Sequence, residues 1–243
     1  MSSPSSGMPQ AIELDRVWKF YGDYAALRDC TLKIDVRTCC ALLGRNGAGK
    51  TTLLRILAGL SPFQRGSVRV FGDAPRAGVA RRKIGFLGHG IGVYEDLSAR
   101  ENLGFFSRIT EAGDPGRTAD AWLERVGLAR VARMPVRQFS RGMRQRLALA
   151  RTFLHKPSLL LLDEPFTSLD DRAIAMLSDL LIEARERGAT IILSTHQIRE
   201  AMTIASHVAL MENGKLRHAG ERSQEMLEDP GLLYRLYTEL GAG

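Results

Sequence analysis

No stretch of the 243 residues approaches the roughly 20 consecutive apolar residues that a membrane-spanning helix needs, so a spanning helix is not expected. Cysteine is scarce. The three present (Cys30, Cys39, Cys40) are an odd number and form no Cys-x-x-Cys pair, which argues against a disulfide framework and a zinc site. They read as small core residues of a reduced, cytoplasmic protein. The opening residues, MSSPSSGMPQ, have neither a basic segment nor an apolar one, so they are not a signal peptide, and residues 1–10 read as a disordered tail. No repeat of solenoid period occurs. With 44% apolar and 25% charged residues, the composition excludes wholesale disorder and a collagen-like chain.

What is present is basic. Thirty-four Lys and Arg against 27 Asp and Glu give a formal charge of +7, and only six of the basic residues are lysine. Such a balance favours anionic partners without choosing among nucleotide, nucleic acid and anionic lipid. The hydropathy pattern sorts into a layered α/β chain. Ala11–Val17 and Ala26–Ile34 read as strands around a turn at Tyr21-Gly22-Asp23. Cys39–Leu43 and Leu159–Leu162 are short continuous apolar runs, the mark of strands buried on both faces. A helix follows from Lys50 to Leu60, and further strands are expected at Val68–Phe71 and Ile84–Leu87. Residues 98–154 read as helices broken at Gly113–Gly116, Gly127 and Met134–Val136. The alternation then resumes with a helix over Asp170–Arg187, a strand over Thr190–Ser194, a helix over Gln197–Ala205 and strands at Val208–Met211 and Lys215–His218. A helical tail from Gln224 to Leu240 ends the chain. The expected fold is an α/β parallel-sheet core with an antiparallel strand layer and a helical insertion.

Three segments carry chemistry. Gly44-Arg45-Asn46-Gly47-Ala48-Gly49-Lys50-Thr51, followed by Thr52, matches G-x-x-x-x-G-K-[ST] between a buried strand and a helix, the context of a phosphate-binding loop. Its glycines let backbone N–H groups face phosphates, and the helix N-terminus favours negative charge. Lys50 suits the β and γ oxygens and the Thr51 hydroxyl suits Mg²⁺. The run Leu159–Leu162 ends in Asp163-Glu164-Pro165, which puts two carboxylates at the C-terminal edge of a sheet, where α/β ligands bind. Asp163 fits a Mg²⁺ shell, and Glu164 fits a group that takes a proton from an attacking water. The third segment, Phe139-Ser140-Arg141-Gly142-Met143-Arg144-Gln145-Arg146, opens a helix with Ser140 as N-cap, 23 residues before Asp163. Alone it reads as an ordinary capped basic helix.

Together these segments resemble the nucleotide-binding subunit of ATP-binding cassette (ABC) transporters over residues 11–220, with a helical part at about 98–154 and a C-terminal helical tail at 221–243. The resemblance implies a phosphate-loop ATPase fold and ATP and Mg²⁺ as ligands. It also implies further roles. Tyr21 looks like the aromatic that stacks on adenine. Ser140 and Gly142 fall on the signature sequence that contacts the ATP bound by an opposite subunit. Ser168 and Asp170 match the loop coupling the two sites, and His196 matches the histidine that senses the γ-phosphate. A homodimer or a pairing with a similar ATPase subunit follows, as does a separate multi-spanning permease docking near residues 89–102. The chain would sit peripherally on the cytoplasmic face of the inner membrane.

Two departures stand out. Arg141 replaces a glycine of the commonest signature, and His89 occupies the place of a glutamine that contacts Mg²⁺ and hinges the helical part. The Gly88-His89 pair and Phe166-Thr167 after Asp-Glu-Pro are similar to the ATP-binding subunit of the heme exporter of cytochrome c maturation. The Ser-Arg-Gly-Met form is similar also to drug and polysaccharide exporters. No Cys-x-x-Cys-His occurs and His155, His207 and His218 are scattered, so nothing in the chain itself marks a heme site. The resemblance therefore implies first an ATPase that powers export in heme handling for cytochrome c maturation; the alternatives are the ATPase of another efflux system, for a drug, lipid or polysaccharide, and a soluble ABC ATPase acting on DNA or ribosomes. The last usually carries a second cassette or a long coiled coil, for which there is no room. Two arginine clusters (Arg137, Arg141, Arg144; Arg76, Arg81, Arg82 with Lys83) read as solvated faces or lipid contacts. No aromatic platform interleaves them, so nucleic acid is not an expected partner.

Overall fold

The computed structural model describes residues 9–88, 92–229 and 232. The chain opens with a long antiparallel pair, β1 (Gln10–Tyr21) and β2 (Tyr24–Asp35), joined by the tight turn Gly22-Asp23. β1 starts one residue before the expected Ala11 and runs four residues beyond Val17, so Tyr21 sits at a strand end rather than in the turn. The apolar residues Ala11, Ile12, Leu14 and Val17 are buried. β3 (Cys39–Leu43) is buried at all five positions, as its unbroken apolar run dictates. Helix α1 (Lys50–Leu57) follows, then β4 (Arg65–Val70), which completes a three-stranded antiparallel sheet in the order β2-β1-β4.

A five-residue helix, α2 (Gly78–Arg82), precedes β5 (Ile84–Leu87). It opens on glycine without a side-chain cap, and the sequence carries no helical start signal there. The insertion contains α3 (Ala99–Ile109), α4 (Pro115–Arg125) and α5 (Arg141–Phe153). Each begins where local chemistry allows it. Ser98 and Glu101 form a reciprocal capping box, Asp114 caps α4 with Pro115 in its first turn, and Ser140 caps α5. The core resumes with β6 (Leu159–Asp163), α6 (Asp171–Glu186), β7 (Thr190–Ser194), α7 (Ile198–Ile204), β8 (His207–Glu212) and β9 (Lys215–Glu221). The short α8 (Gln224–Glu228) comes last. The rest of the expected helical tail lies outside the described residues, apart from Leu232.

The second sheet has the order β5-β6-β7-β3-β8-β9, parallel from β5 to β8, with β9 antiparallel at its edge. One apolar cluster lies between this sheet, α1 and the antiparallel layer; a second packs α6 and α7 on the opposite face; a third fills the helical insertion. The cysteines are buried core residues, as expected, and burial pushes the Cys39 thiol up to about 12 and raises that of Cys40 as well. Among the described residues, no helix is long and apolar enough to cross a membrane.

The residues of the first arginine cluster do not share one helix. α5 begins only at Arg141, and Arg137 lies in a 3₁₀ turn before it. Arg137 pairs with Asp96 and Arg144 with Glu95, at 2.9 and 3.0 Å, in exposed ion pairs that tie the start of α5 to the 93–98 segment. The solvated reading holds for Arg137, whereas Arg144 is half-buried and also donates to the Arg137 carbonyl.

Candidate functional site

Three neighbouring parallel strands, β6, β7 and β3, end on the same sheet edge. There they deliver the 163–164 carboxylates, the 194–196 segment and the glycine-rich loop. The register puts Asp163 directly beside Ser194 and Ser194 beside Leu42.

Two glycines of the loop are required by geometry. Gly44 has φ +146° and a side chain there would meet the Met211 carbonyl at 2.3 Å; Gly49 has φ +105° and would meet the Ala26 carbonyl at 2.7 Å. Gly49 leads into α1, which has no side-chain cap and no acidic residue in its first turn. Its first N–H groups are therefore left for an anion. The buried Lys50 side chain folds back along the loop, its Nζ donating to the carbonyls of Gly44 (2.6 Å) and Arg45 (3.3 Å). Burial lowers its pKa, and the nearby Glu164 and Asp163 oppose that shift.

Asp163 is held from both sides. Thr51 Oγ1 donates to its Oδ2 at 2.8 Å and Ser194 Oγ to its Oδ1 at 2.6 Å. Glu164 adopts a left-handed backbone, φ +52°, uncommon for a non-glycine residue and of the kind found at functional sites. Its N–H donates to the Ser194 carbonyl, and lies 3.2 Å from Ser194 Oγ. One oxygen of its side chain, Oε2, meets both the backbone N–H of His196 (3.2 Å) and the ring Nδ1 (2.8 Å).

Sequence reasoning missed Ser194 as a functional residue. It is fully buried and touches both acids, but only the strand register reveals this. The Thr51–Asp163 pair fits a Mg²⁺ ion. Both donors are hard oxygens, and their 2.8 Å separation matches the roughly 2.9 Å edge of an octahedron with bonds of about 2.0–2.1 Å. Among the described residues no cluster of three or more His, Cys, Asp or Glu could hold a metal by itself. Phosphate oxygens and water would complete such a shell.

Tyr21, residues 46–52, Asp163 and Glu164 line one cavity of about 320 Å³. Arg45 lines a neighbouring cavity of about 470 Å³ with the Glu212–Arg217 ion pair. Tyr24, which sequence reasoning also missed, borders both. His196 lines neither and stands behind Glu164. Ser140 and Gly142 also line neither. Ser140 accepts from the Met143 N–H, and a side chain at Gly142 would lie 3.1 Å from the Ser168 carbonyl. Gln145 Nε2 donates to the Pro165 carbonyl, so the start of α5 packs on the 165–168 loop rather than on Lys50. Ser168 has φ +66°, and Asp170 caps α6 through the Ala173 N–H. Arg141 is exposed. His89 lies outside the described residues.

Fold and site thus define a phosphate-loop ATPase cassette. The ABC transporter family model matches residues 27–167, and this chain belongs to that family as an ATP-binding subunit. The chain is 38% identical over 240 residues (96% of this chain, 76% of the relative) to the daunorubicin resistance ATP-binding protein DrrA3 of Streptomyces coeruleorubidus. It is 35% identical over 225 residues to the sulfate/thiosulfate import ATP-binding protein CysA of Synechocystis. That match covers 90% of this chain and 63% of the relative, just under two thirds of its length. Among solved structures, a dimeric ATP-binding cassette in a post-hydrolysis state bound to ADP and Pi superposes with a TM-score of 0.80. It is 26% identical, with 87% of this chain and 99% of that chain covered.

Proposed function

We propose that the sheet edge is one half of an ATP-hydrolysing site. In this reading the residue 44–52 backbone and Lys50 hold the phosphates and Tyr21 stacks on adenine. Thr51 and Asp163 would hold Mg²⁺, which supplies neutralisation of phosphate charge when bound. Glu164 takes the proton of the attacking water, and His196 orients it and reads the γ-phosphate. The observation that carries the reading is the pairing of Glu164 Oε2 with His196, which fixes the carboxylate at the cavity wall and leaves Oε1 for a water proton. His89 in the hinge position is part of the proposal on sequence grounds alone.

The other half comes from a second subunit. Ser140 and Gly142 complete the partner copy's site, with Ser168 and Asp170 linking the two; the dimeric cassette bound to ADP and Pi supports this arrangement. Residues 11–220 act as the ATP-binding domain with 98–154 as its helical part and 221–243 as a tail. A separate permease docks near residues 89–102. Of that segment, Val93 packs on the helical cluster. Tyr94 is half exposed beside Phe105, with ring centroids 5.3 Å apart, an apolar surface suited to a partner. The chain would then lie on the cytoplasmic membrane face.

Export is the direction we infer. The 38% identity with a daunorubicin resistance protein across 96% of this chain favours efflux of a small organic compound. The second reading, heme handling in cytochrome c maturation, rests on Gly88-His89 and Phe166-Thr167 alone. The decisive experiment traps the ATP-bound dimer with Glu164→Gln, purifies it from gently solubilised membranes and identifies what comes with it. A multi-spanning permease without heme supports efflux; cytochrome c assembly proteins and a heme absorption band support the second reading. Ribosomes or DNA without any membrane protein would refute both.

A further inference from the structure

The cavity beside the phosphate loop offers two tyrosines, Tyr21 and Tyr24, which face each other across the Gly22-Asp23 turn and are 48% and 58% exposed. Tyr21 differs from Tyr24 in carrying a Lys19 contact. Lys19 and Tyr21, two residues apart on β1, share a strand face. The Lys19 ammonium lies 4.5 Å from the Tyr21 ring centroid, a cation–π distance, and the side chain is buried at 5% exposure. No carboxylate lies within ion-pairing distance of it among the described residues.

The strand beneath is held firmly. Gln64 donates its backbone N–H to the Trp18 carbonyl, its side chain brackets both backbone groups of Phe20, and Trp18 stacks on Phe20 at 5.9 Å. With a cation over one face of Tyr21, a planar ligand can stack only on the other. The cation also withdraws electron density from the ring, which lessens π–π repulsion with a stacked base.

We propose that Lys19 is a positioning residue for the nucleotide base: it locks Tyr21 in one orientation and prepares its free face for a purine. The inference rests on the reading of Tyr21 as the base-stacking aromatic and goes beyond it by assigning Lys19 to that shelf. Because Lys19 acts through the ring, its effect belongs to ligands that carry a base and is absent for bare phosphates.

The test compares ADP with inorganic pyrophosphate by calorimetry on the full chain, since neither is hydrolysed here. Tyr21→Ala should weaken ADP and leave pyrophosphate unchanged; unchanged ADP affinity would remove the Tyr21 reading itself. Lys19→Met should weaken ADP about twofold to fivefold, the lower end of the cation–π range, since Lys19 reaches the base only through the ring, again without affecting pyrophosphate. Lys19→Arg, which keeps the cation, should restore ADP affinity and also guards against a folding defect in the Met variant. In the Tyr21→Ala background Lys19→Met should have no further effect. With the Tyr21 effect in place, the Lys19 inference is overturned by an unaltered ADP affinity in Lys19→Met. An equal loss for pyrophosphate, or the same loss with Tyr21 already removed, would overturn it too.

Discussion

The C-terminal sheet edge and the start of α5 carry similarly marked sequence motifs but are built differently. At the edge, side chains from α1, β6, β7 and the residues after β7 meet one another: Thr51 and Ser194 clasp Asp163, and His196 seats Glu164. At the start of α5, Ser140 only caps its own helix, Arg141 faces solvent, and Gly142 presents bare backbone beside Ser168. One region is internally satisfied and the other is left open. The difference suits the proposal that the chain carries two complementary halves of a site, which two copies arranged head to tail would unite.

The largest effect that could break this contrast is in the satisfied half. Glu164→Gln should retain ATP binding yet cut turnover at least about 100-fold, the scale of a lost general base; retained turnover in a steady-state ATPase assay would take the role from Glu164. Lys50→Ala comes next. Losing a charge-assisted phosphate contact should weaken ADP about 10- to 100-fold by calorimetry, and an unaltered affinity would rule out the phosphate loop as the binding element. In the open half, Gly142→Asp should leave ADP binding by the single chain within about twofold while lowering turnover at least about tenfold. An aspartate in the first turn suits a helix but repels a partner's phosphate. Equal losses of binding and turnover would mean that Gly142 serves its own chain's cavity.

The smallest effect concerns the capping box that starts the helical insertion. The Ser98 side chain and backbone hold the Glu101 carboxyl below its ordinary 4.5. The folded pKa is depressed, so the stabilisation is present above about pH 4.5 and is lost as pH falls through the lowered value. Glu101→Gln should therefore lower Tm slightly at pH 7, on the order of 1 °C, and the gap from wild type should shrink and close as pH falls below the ordinary value of 4.5 and through the lowered one. A gap independent of pH, followed by thermal melting, would discount the ionised box.

The contrast also explains what could be read from the chain directly. The glycine loop and Asp163-Glu164 are contiguous motifs whose chemistry depends on local order, and both fall at the sheet edge. Ser194 and Lys19 were invisible because their importance is set by register: one lies beside Asp163 across two strands, the other beneath Tyr21 two residues along. Tyr24 carries no sequence signal of its own, because the turn Gly22-Asp23 is shorter than the sequence implies, which lengthens both strands. α2 is not legible in the sequence because five residues opening on glycine carry no capping signal, although Ala80 at its centre is fully buried. At the far end of the core, β9 runs on through Ala219 and Gly220 to Glu221 with alternating half-buried and exposed positions, because an edge strand needs no continuous apolar run.

The head-to-tail arrangement is tested most directly by mixing two impaired chains, Lys50→Ala and Gly142→Asp. In a head-to-tail pair, the intact phosphate loop of the Gly142→Asp chain meets the intact α5 start of the Lys50→Ala chain. One composite site in each mixed dimer is then whole. The account predicts that turnover, strongly reduced in either variant alone, rises on mixing to a substantial fraction of the wild-type rate per mixed dimer. Mixed dimers detected by mass but devoid of turnover would contradict it.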